Sequence, residues 1–186
     1  MKLEEFDFSK VQALLRAALD ELGKEPHLFS FRINERTLTQ RLSLHLQRLV
    51  GNDLSVDCEY NRMWEEDEDI VKRLPWEADQ VLTDDDTGRT VYPDIILHVR
   101  GKPFANLLVI EAKRNWNTED IPENDKKKLE GFTKPDGDFR YPWGAFVNFV
   151  TKTRYKHVAV VWFALDGKDT GKKEIVFLPD QIGGIA

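Results

Sequence analysis

The sequence predicts an α/β domain with a mixed central sheet flanked by helices. Two stretches near the amino end, over about residues 9–22 and 35–49, carry apolar residues at helical spacing. Later stretches are rich in β-branched residues. One of them, residues 107–110, is a near-continuous apolar run typical of a strand buried on both faces. The predicted order is helix, three or more strands, helix, strand, strand.

The ends of both N-terminal helices can be predicted from single residues. Ser9 and Gln12 have the S-x-x-Q spacing of a capping box, and Gly23 is placed to end the first helix. Asn34 is the predicted N-cap of the second helix, and Gly51 lies just past its end.

Alternating and β-branched segments predict the strands. The acidic stretch 65–69 lacks the spacing of an EF-hand loop, so we expect a solvated loop there. A turn at residues 84–88 predicts a hairpin between residues 81–82 and the strand that follows. The other predicted elements are strands over about residues 54–60, 90–99, 106–113, 157–165 and 174–178, and a helix over about 122–133.

Composition favours one globular domain over residues 1–186, with a helical N-terminal extension over about residues 1–30. No apolar run approaches the roughly 20 residues of a membrane span, which predicts no membrane partner. The acidic N-terminus lacks a signal-peptide core, and Cys58 is the only cysteine. We therefore expect a reducing, cytoplasmic location without an internal disulfide.

The net charge of -6 argues against a protein that simply coats DNA. The charge is uneven, however. Residues 1–93 hold 12 basic and 20 acidic residues, whereas residues 94–186 hold 15 basic and 13 acidic residues. Basic residues are thus concentrated in the half that contains the main motif, although chance asymmetry is an alternative explanation.

The motif begins with two acidic residues, Asp94 and Glu111, that lie 17 positions apart. The midpoint between them falls in the turn Gly101-Lys102-Pro103-Phe104, so a symmetric hairpin makes them cross-strand neighbours. Two carboxylates so close repel each other unless a cation or a shared proton neutralises them. Mg²⁺ suits such a pair because it prefers oxygen ligands.

Lys113 lies two residues beyond Glu111 and therefore points to the same face of the strand. Two carboxylates and an ammonium on one face suit phosphodiester hydrolysis, with Lys113 orienting water or stabilising negative charge. The carbonyl of Ala112 is a candidate third metal ligand. An exposed face of mixed charge is the alternative. The functional interpretation is favoured because Glu111 directly follows a buried apolar run.

The segment Tyr92-Pro93-Asp94, followed after sixteen residues by Glu111-Ala112-Lys113, resembles the signature of the PD-(D/E)XK nuclease superfamily. The resemblance covers about residues 34–165. It implies a restriction-endonuclease-like αβββαβ core and a metal site that takes Mg²⁺ or Mn²⁺.

The resemblance also implies roles for residues outside the motif. A glutamate on the helix before the first core strand often joins the metal site, and Glu35 occupies that place. The alternative is that Glu35 only interacts favourably with the helix dipole. Basic residues on the helix after the motif strand often lie near the site, and Lys128 is the chosen candidate. Lys128, Arg114 and Glu59 are the candidate nucleic-acid contacts. Glu59 is a candidate because it ends the first predicted strand and could reach the site or a phosphate-binding neighbour, and an edge-of-strand polar cluster is an equally favoured alternative.

Other patterns carry less information. The four histidines show no metal-ligand spacing, and His98 is interpreted as a packed or surface residue. Aromatic residues interleaved with basic ones over residues 140–156 can stack single strands, but a core or interface role is favoured.

The sequence therefore predicts a magnesium-dependent endonuclease-like hydrolase, with DNA favoured over RNA as the bound nucleic acid. A double-strand cutter with one site per chain would require a homodimer. The runner-up is a non-catalytic protein of the same fold that binds nucleic acid or serves as an assembly subunit. A third hypothesis is an interaction module whose acidic stretch 65–69 binds a basic partner.

Overall fold

The computed structural model describes residues 3–29, 33–60, 62–65, 68–71, 92–116, 120–151, 156–164 and 166–177. Within them, the helices are α1 (Phe8–Gly23), α2 (Glu35–Val50) and α3 (Glu123–Phe132). The strands are β1 (Ser55–Cys58), β2 (Arg62–Glu65), β3 (Glu68–Val71), β4 (Ile95–His98), β5 (Asn106–Arg114), β6 (Trp143–Val150), β7 (His157–Ala164) and β8 (Asp169–Phe177). Short 3-10 helices cover Leu3–Glu5 and Pro26–Phe29.

The capping box predicted for α1 is wrong. Asp7 is the N-cap, and its carboxylate accepts hydrogen bonds from the Lys10 amide at 2.9 Å and the Ser9 hydroxyl at 2.6 Å. A carboxylate suits this position because the N-terminal amides carry partial positive charge. Ser9 consequently lies inside the first turn, and the side chain of Gln12 contacts Glu174 on β8 instead.

Both predicted ends of α2 are confirmed. Asn34 is the N-cap, and its side-chain oxygen accepts hydrogen bonds of 2.8 Å from the amide and the hydroxyl of Thr37. Gly51 ends the helix with φ of 65°, a conformation that glycine adopts without a Cβ clash. Glu35 is therefore fixed in the first turn of α2. None of the helices in the described residues is both long and apolar enough to cross a bilayer.

Six strands form one sheet in the order β1–β4–β5–β6–β7–β8. The pair β5–β6 is parallel, and the other neighbours are antiparallel, so the predicted mixed sheet is confirmed. A parallel pair requires a crossover connection, and α3 lies in the one that joins β5 to β6.

The helices cover both faces of this sheet. On one face, α1 and α2 pack on an apolar cluster that includes Leu15, Leu42 and Ile110. On the other, Leu129 and Phe132 of α3 pack against alternate residues of the same strands, such as Ile96, Val109 and Phe163. Seven consecutive residues of β5, 106–112, are buried. The prediction of a strand covered on both faces is therefore confirmed.

The acidic stretch 65–69 is not the predicted loop. Glu65 ends β2 and Glu68 begins β3, and these strands pair antiparallel in a separate two-stranded sheet. Residues 66 and 67 lie outside the described residues, as does the hairpin predicted over residues 81–90.

The sequence pattern did not predict β6, the parallel neighbour of β5. Its residues 144–149 are buried on both faces, which removes the alternation that marks a half-exposed strand. The core interpretation of the nearby aromatic residues is confirmed for Tyr141, Phe146 and Phe149, which are all buried. Of the two alternatives for His98, a packed or a surface residue, the structure shows the packed one, because His98 is buried against Asp57.

Candidate functional site

The hairpin of β4 and β5 brings Asp94 opposite Glu111. Ile95 pairs with Ile110 in this antiparallel ladder, so the residues one step further, Asp94 and Glu111, face each other across it. The amide of Ala112 donates a 2.7 Å hydrogen bond to Oδ2 of Asp94 and fixes this carboxylate at the strand end. The hairpin geometry inferred from the spacing is therefore present.

Asp94, Glu111 and Lys113 share the face of the sheet that α3 covers. Side chains alternate along a strand, and Val109 on β5 packs in the cluster of α3. Glu111 and Lys113 follow it at intervals of two. Asp94 lies two residues before Ile96, which belongs to that cluster as well, so its side chain points to the same face.

Glu111 is the most deeply buried charged residue of the site, with 0% exposure. Its Oε2 accepts a 3.1 Å hydrogen bond from Nζ of Lys128, while its Oε1 is buried without a hydrogen-bond partner. Burial raises the pKa of Glu111 well above its ordinary value, and the negative charge of Asp94 adds to this effect. The Lys128 ammonium opposes both.

The pKa of Asp94 is raised as well. Burial is the main reason that its pKa is raised, and the charge of Glu35 adds to it. The Ala112 amide and the ammonium groups of Lys113 and Lys128 act in the opposite direction. A further positive charge would therefore stabilise the ionised forms of Asp94 and Glu111.

Lys113 lies between carboxylates from two helices. Its Nζ is 3.7 Å from Oε1 of Glu35 on α2 and 3.3 Å from Oδ2 of Asp125 on α3. Burial alone would lower the pKa of Lys113, but Asp125 and Glu35 outweigh it, and the pKa is raised. The ammonium form of Lys113 is therefore stabilised at its place in the site.

Glu35 reaches the site over the end of β5. Its Oε2 accepts a 2.9 Å hydrogen bond from the backbone amide of Arg114, in addition to the contact between Oε1 and Lys113. The carboxylate is 38% exposed, so it lies at the boundary between the site and solvent. Glu35 does more than interact with the helix dipole, because it contacts the strand that carries Glu111.

The structure brings Lys128 to the site as well. It extends from α3 to Glu111, and its Nζ also lies 3.4 Å from the carbonyl oxygen of Tyr92. Burial alone would lower the pKa of Lys128, but the charge of Glu111 and its hydrogen bond raise it. Lys128 thus lies near the motif residues, as the sequence analysis expected, and compensates a buried carboxylate. Its role as a nucleic-acid contact stays a prediction.

Glu59 and Arg114 lie at the edge of the site. Glu59 forms a 2.8 Å ion pair with Arg36, and its amide donates a 3.3 Å hydrogen bond to the carbonyl of Asp94. Arg114 ends β5 next to Lys113 and on the opposite side of the strand, because adjacent side chains alternate. The backbone amide of Arg114 connects it to the site through its hydrogen bond to Glu35.

A cavity of about 280 Å³ opens between α2 and the end of β1. Its lining includes three acidic side chains and one guanidinium, together with uncharged polar groups: Glu35, Arg36, Thr39, Gln40, Cys58, Glu59 and Asp94. Because Glu35 and Asp94 line this cavity, it gives solvent and ligands access to the carboxylate side of the site.

Asp125 is the site residue that the sequence analysis missed. It lies in the first turn of α3, is only 4% exposed, and contacts Lys113. An acidic residue in a first turn is usually explained by the helix dipole. The missed signal is its spacing, since Asp125, Lys128, Leu129 and Phe132 recur at three and four residues and form one inward face.

The oxygen donors suit a hard divalent cation. Glu111 offers a buried oxygen that lacks a hydrogen-bond partner, and Asp94 offers a second carboxylate from the opposite strand. Within the described residues, no three Asp, Glu, His or Cys side chains are arranged to hold a metal ion together. Mg²⁺ is commonly held by one or two carboxylates, with water and substrate oxygens as the other ligands, so the pair meets that requirement.

No protein-family model matches this chain, and no curated protein or solved structure shows significant similarity to it.

Proposed function

We propose that this protein is a metal-dependent nuclease with a restriction-endonuclease-like core, and that DNA is its substrate. The order α2, β1, β4, β5, α3, β6, with the separate pair β2–β3 inserted after β1, supports this fold, because the resemblance implies a core of helix, three strands, helix and strand. Asp94 lies directly before β4, and Glu111 and Lys113 lie on β5, which pairs antiparallel with β4. The helices α1 and α2 on one sheet face and the crossover helix α3 on the other are also compatible with a core in which helices flank a mixed sheet.

The observation that carries the proposal is the unbalanced negative charge around Glu111. Four carboxylates surround two ammonium groups, so two negative charges are uncompensated when all six groups are ionised: Asp94, Glu111, Asp125 and Glu35 against Lys113 and Lys128. Glu111 and Asp125 are buried, Asp94 is half-buried and Glu35 is 38% exposed. Buried charges are strongly unfavourable unless paired. One divalent cation would restore neutrality.

Asp94 and Glu111 would hold this metal ion, with the carbonyl of Ala112 as a further ligand. A bound Mg²⁺ or Mn²⁺ supplies polarisation of the phosphate and a lowered pKa for a coordinated water molecule. The buried Oε1 of Glu111, which lacks a hydrogen-bond partner, is the oxygen best suited to it.

The chain's own residues would assist hydrolysis as follows. Water adds to phosphorus and gives up a proton to solvent, the bond from phosphorus to the leaving oxygen breaks, and that oxygen takes up a proton from solvent, so that no proton is gained overall. Lys113 is placed to stabilise the negative charge that develops on the phosphate oxygens. Glu35 holds Lys113 from the α2 side, and Lys128 keeps the charge of Glu111 partly compensated before substrate arrives.

A cleavage assay with Mg²⁺ or Mn²⁺ on single-stranded and double-stranded DNA and RNA tests the proposal. We expect cleavage by the unmodified protein and none by Asp94→Ala. Asp138→Asn is the control, because Asp138 is exposed beyond α3. Cleavage that is unchanged in Asp94→Ala, or that continues in EDTA, would contradict the proposed site. Cutting of both strands at one position would favour a homodimer, to be checked by light scattering.

The contact between Lys128 and Glu111 favours a second candidate function. It neutralises the most buried carboxylate without a metal ion, as a purely structural ion pair would. A non-catalytic protein of the same fold would use the site as a structural network and bind nucleic acid elsewhere or serve as an assembly subunit. Binding of DNA without cleavage under every metal condition would favour this candidate.

A further inference from the structure

Asp125 has features that its position in a helix does not explain. Acidic residues near a helix N-terminus interact favourably with the dipole while exposed to water, as Glu123 does in the same turn with 71% of its side chain exposed. Asp125 is only 4% exposed, and its buried Oδ2 lacks a hydrogen-bond partner. Burying a carboxylate is unfavourable unless a charge compensates it.

The compensating charge is Lys113, whose Nζ lies 3.3 Å from that Oδ2. The distance fits an ion pair, although the geometry does not fit a hydrogen bond. On its other side, Lys113 lies 3.7 Å from Glu35. The lysine is therefore held by carboxylates from α2 and α3, which cover opposite faces of the sheet.

This arrangement restricts a flexible side chain. A lysine has four rotatable bonds, and a single ion pair leaves it able to swing toward solvent. Two carboxylates on opposite sides restrict the ammonium to the space between them, over the end of β5. Glu35 is partly exposed and Asp125 is buried, so the α3 contact is the less mobile of the two.

We propose that Asp125 is a positioning residue, which holds the ammonium of Lys113 where the proposed reaction needs it. The proposal rests on the proposed function and adds a residue to it. It assigns Asp125 no contact with substrate or metal ion. Its effect is on geometry, and misplacement by about 1 Å can reduce a rate by about 100-fold.

Asp125→Asn is the direct test, because asparagine keeps the shape and removes the charge. We expect kcat to fall about 10-fold to 100-fold, with KM and metal affinity little changed. Asp125→Glu keeps the charge and is expected to recover part of kcat. Glu123→Gln, in the same turn of α3, is the matched control and should behave like the unmodified protein. Loss of metal binding in Asp125→Asn would show that Asp125 is a ligand and overturn the proposal.

A double-mutant cycle tests the contact without any activity. Asp125→Asn and Lys113→Met, alone and together, are compared by chemical denaturation. Their effects on stability should be non-additive, whereas Glu123→Gln and Lys113→Met should add. Additive effects for the first pair would overturn the proposal. Non-additive effects in a protein that cleaves no nucleic acid would support the contact between Asp125 and Lys113. The absence of cleavage would contradict the proposed nuclease function instead.

Discussion

Nζ of Lys128 donates a 3.1 Å hydrogen bond to Oε2 of Glu111, a carboxylate with no exposed surface. Lys128 belongs to α3 and Glu111 to β5, so the contact also fastens the crossover helix to the sheet. The other oxygen of Glu111 has no hydrogen-bond partner. Within the described residues, Lys128 is therefore the cation that directly compensates the charge of Glu111.

Lys128→Met should destabilise the protein by about 3 kcal/mol at neutral pH. The substitution leaves Glu111 buried beside Asp94 without its hydrogen-bonded cation. The cost is at the lower end for a broken buried pair because Glu111, with its raised pKa, can take up a proton. If the site binds Mg²⁺, millimolar Mg²⁺ should restore more stability to this variant than to the unmodified protein. Urea denaturation with and without the metal measures both effects.

Lys126→Met is the control for this experiment. Lys126 lies two residues earlier on α3, pairs with Glu130 at 3.9 Å, and has 46% of its side chain exposed. Exposed pairs contribute little to stability, so we expect a small effect and no response to Mg²⁺. Equal losses of stability in both lysine variants would mean that the contact between Lys128 and Glu111 contributes no more than an exposed ion pair.

Lys113→Met should leave metal binding nearly intact and reduce cleavage by several orders of magnitude. A protonated lysine has no lone pair with which to bind Mg²⁺, yet its charge stabilises the transition state. Asp94→Asn should weaken both metal binding and cleavage. Calorimetric titration with Mg²⁺ and single-turnover rates separate the two effects. Rapid cleavage by Lys113→Met would exclude Lys113 from the mechanism.

Asn34→Ala should lower the free energy of unfolding by about 1 kcal/mol, the usual cost of a lost N-cap. Two hydrogen bonds from Thr37 to the Asn34 side chain would be lost at the start of α2. Because Glu35 is the next residue, fraying of this turn should also reduce cleavage. Asn34→Ser keeps an acceptor and should lose less on both counts. Denaturant titration and cleavage rates provide the comparison.

Asp57→Asn should make the protein less sensitive to acid. Burial alone would raise the pKa of Asp57, but hydrogen bonds from His98 and Arg100 outweigh it, and the pKa lies far below the ordinary 3.8. A lowered pKa in the folded state gives stability that is present above pH 3.8 and is lost as pH falls below it. The variant lacks this contribution, so its stability should be lower at pH 7 and fall less steeply in acid.

Glu21→Gln is the control for the pH experiment. Glu21 pairs with Lys24 on the surface of α1, where water screens the interaction. Thermal unfolding between pH 2.5 and 7 should give nearly parallel curves for this variant and the unmodified protein. A curve for Asp57→Asn that runs parallel to both would argue against a structural role for the pair of Asp57 and His98.

The sequence predicted the hairpin of the site because its evidence is local. The distance from Asp94 to Glu111 and the turn between them set the register, and a buried apolar run identified β5. The ends of α2 were predictable for the same reason, since the Asn34 side chain accepts from the Thr37 amide three residues on and the Gly51 amide donates to the Gln47 carbonyl four residues back.

Features that depend on tertiary packing could not be predicted in this way. Strand β6 is buried on both faces, so its sequence lacks alternation. Asp125 looks like an ordinary first-turn acid until the docking of α3 buries it. At α1, the predicted capping box begins at Ser9, whereas Asp7, two residues earlier, takes the N-cap position. Local spacing alone does not decide between them.

The parallel pairing of β5 with β6 has a consequence for the order of folding. Asp94 and Glu111 meet in a short hairpin, whereas Lys128 and Asp125 arrive only when the crossover of residues 115–142 closes. Contacts that require long loops form slowly. We therefore expect the nascent chain to assemble the two carboxylates while they are still hydrated, and to enclose them in the same step that brings the Lys128 counter-ion to Glu111.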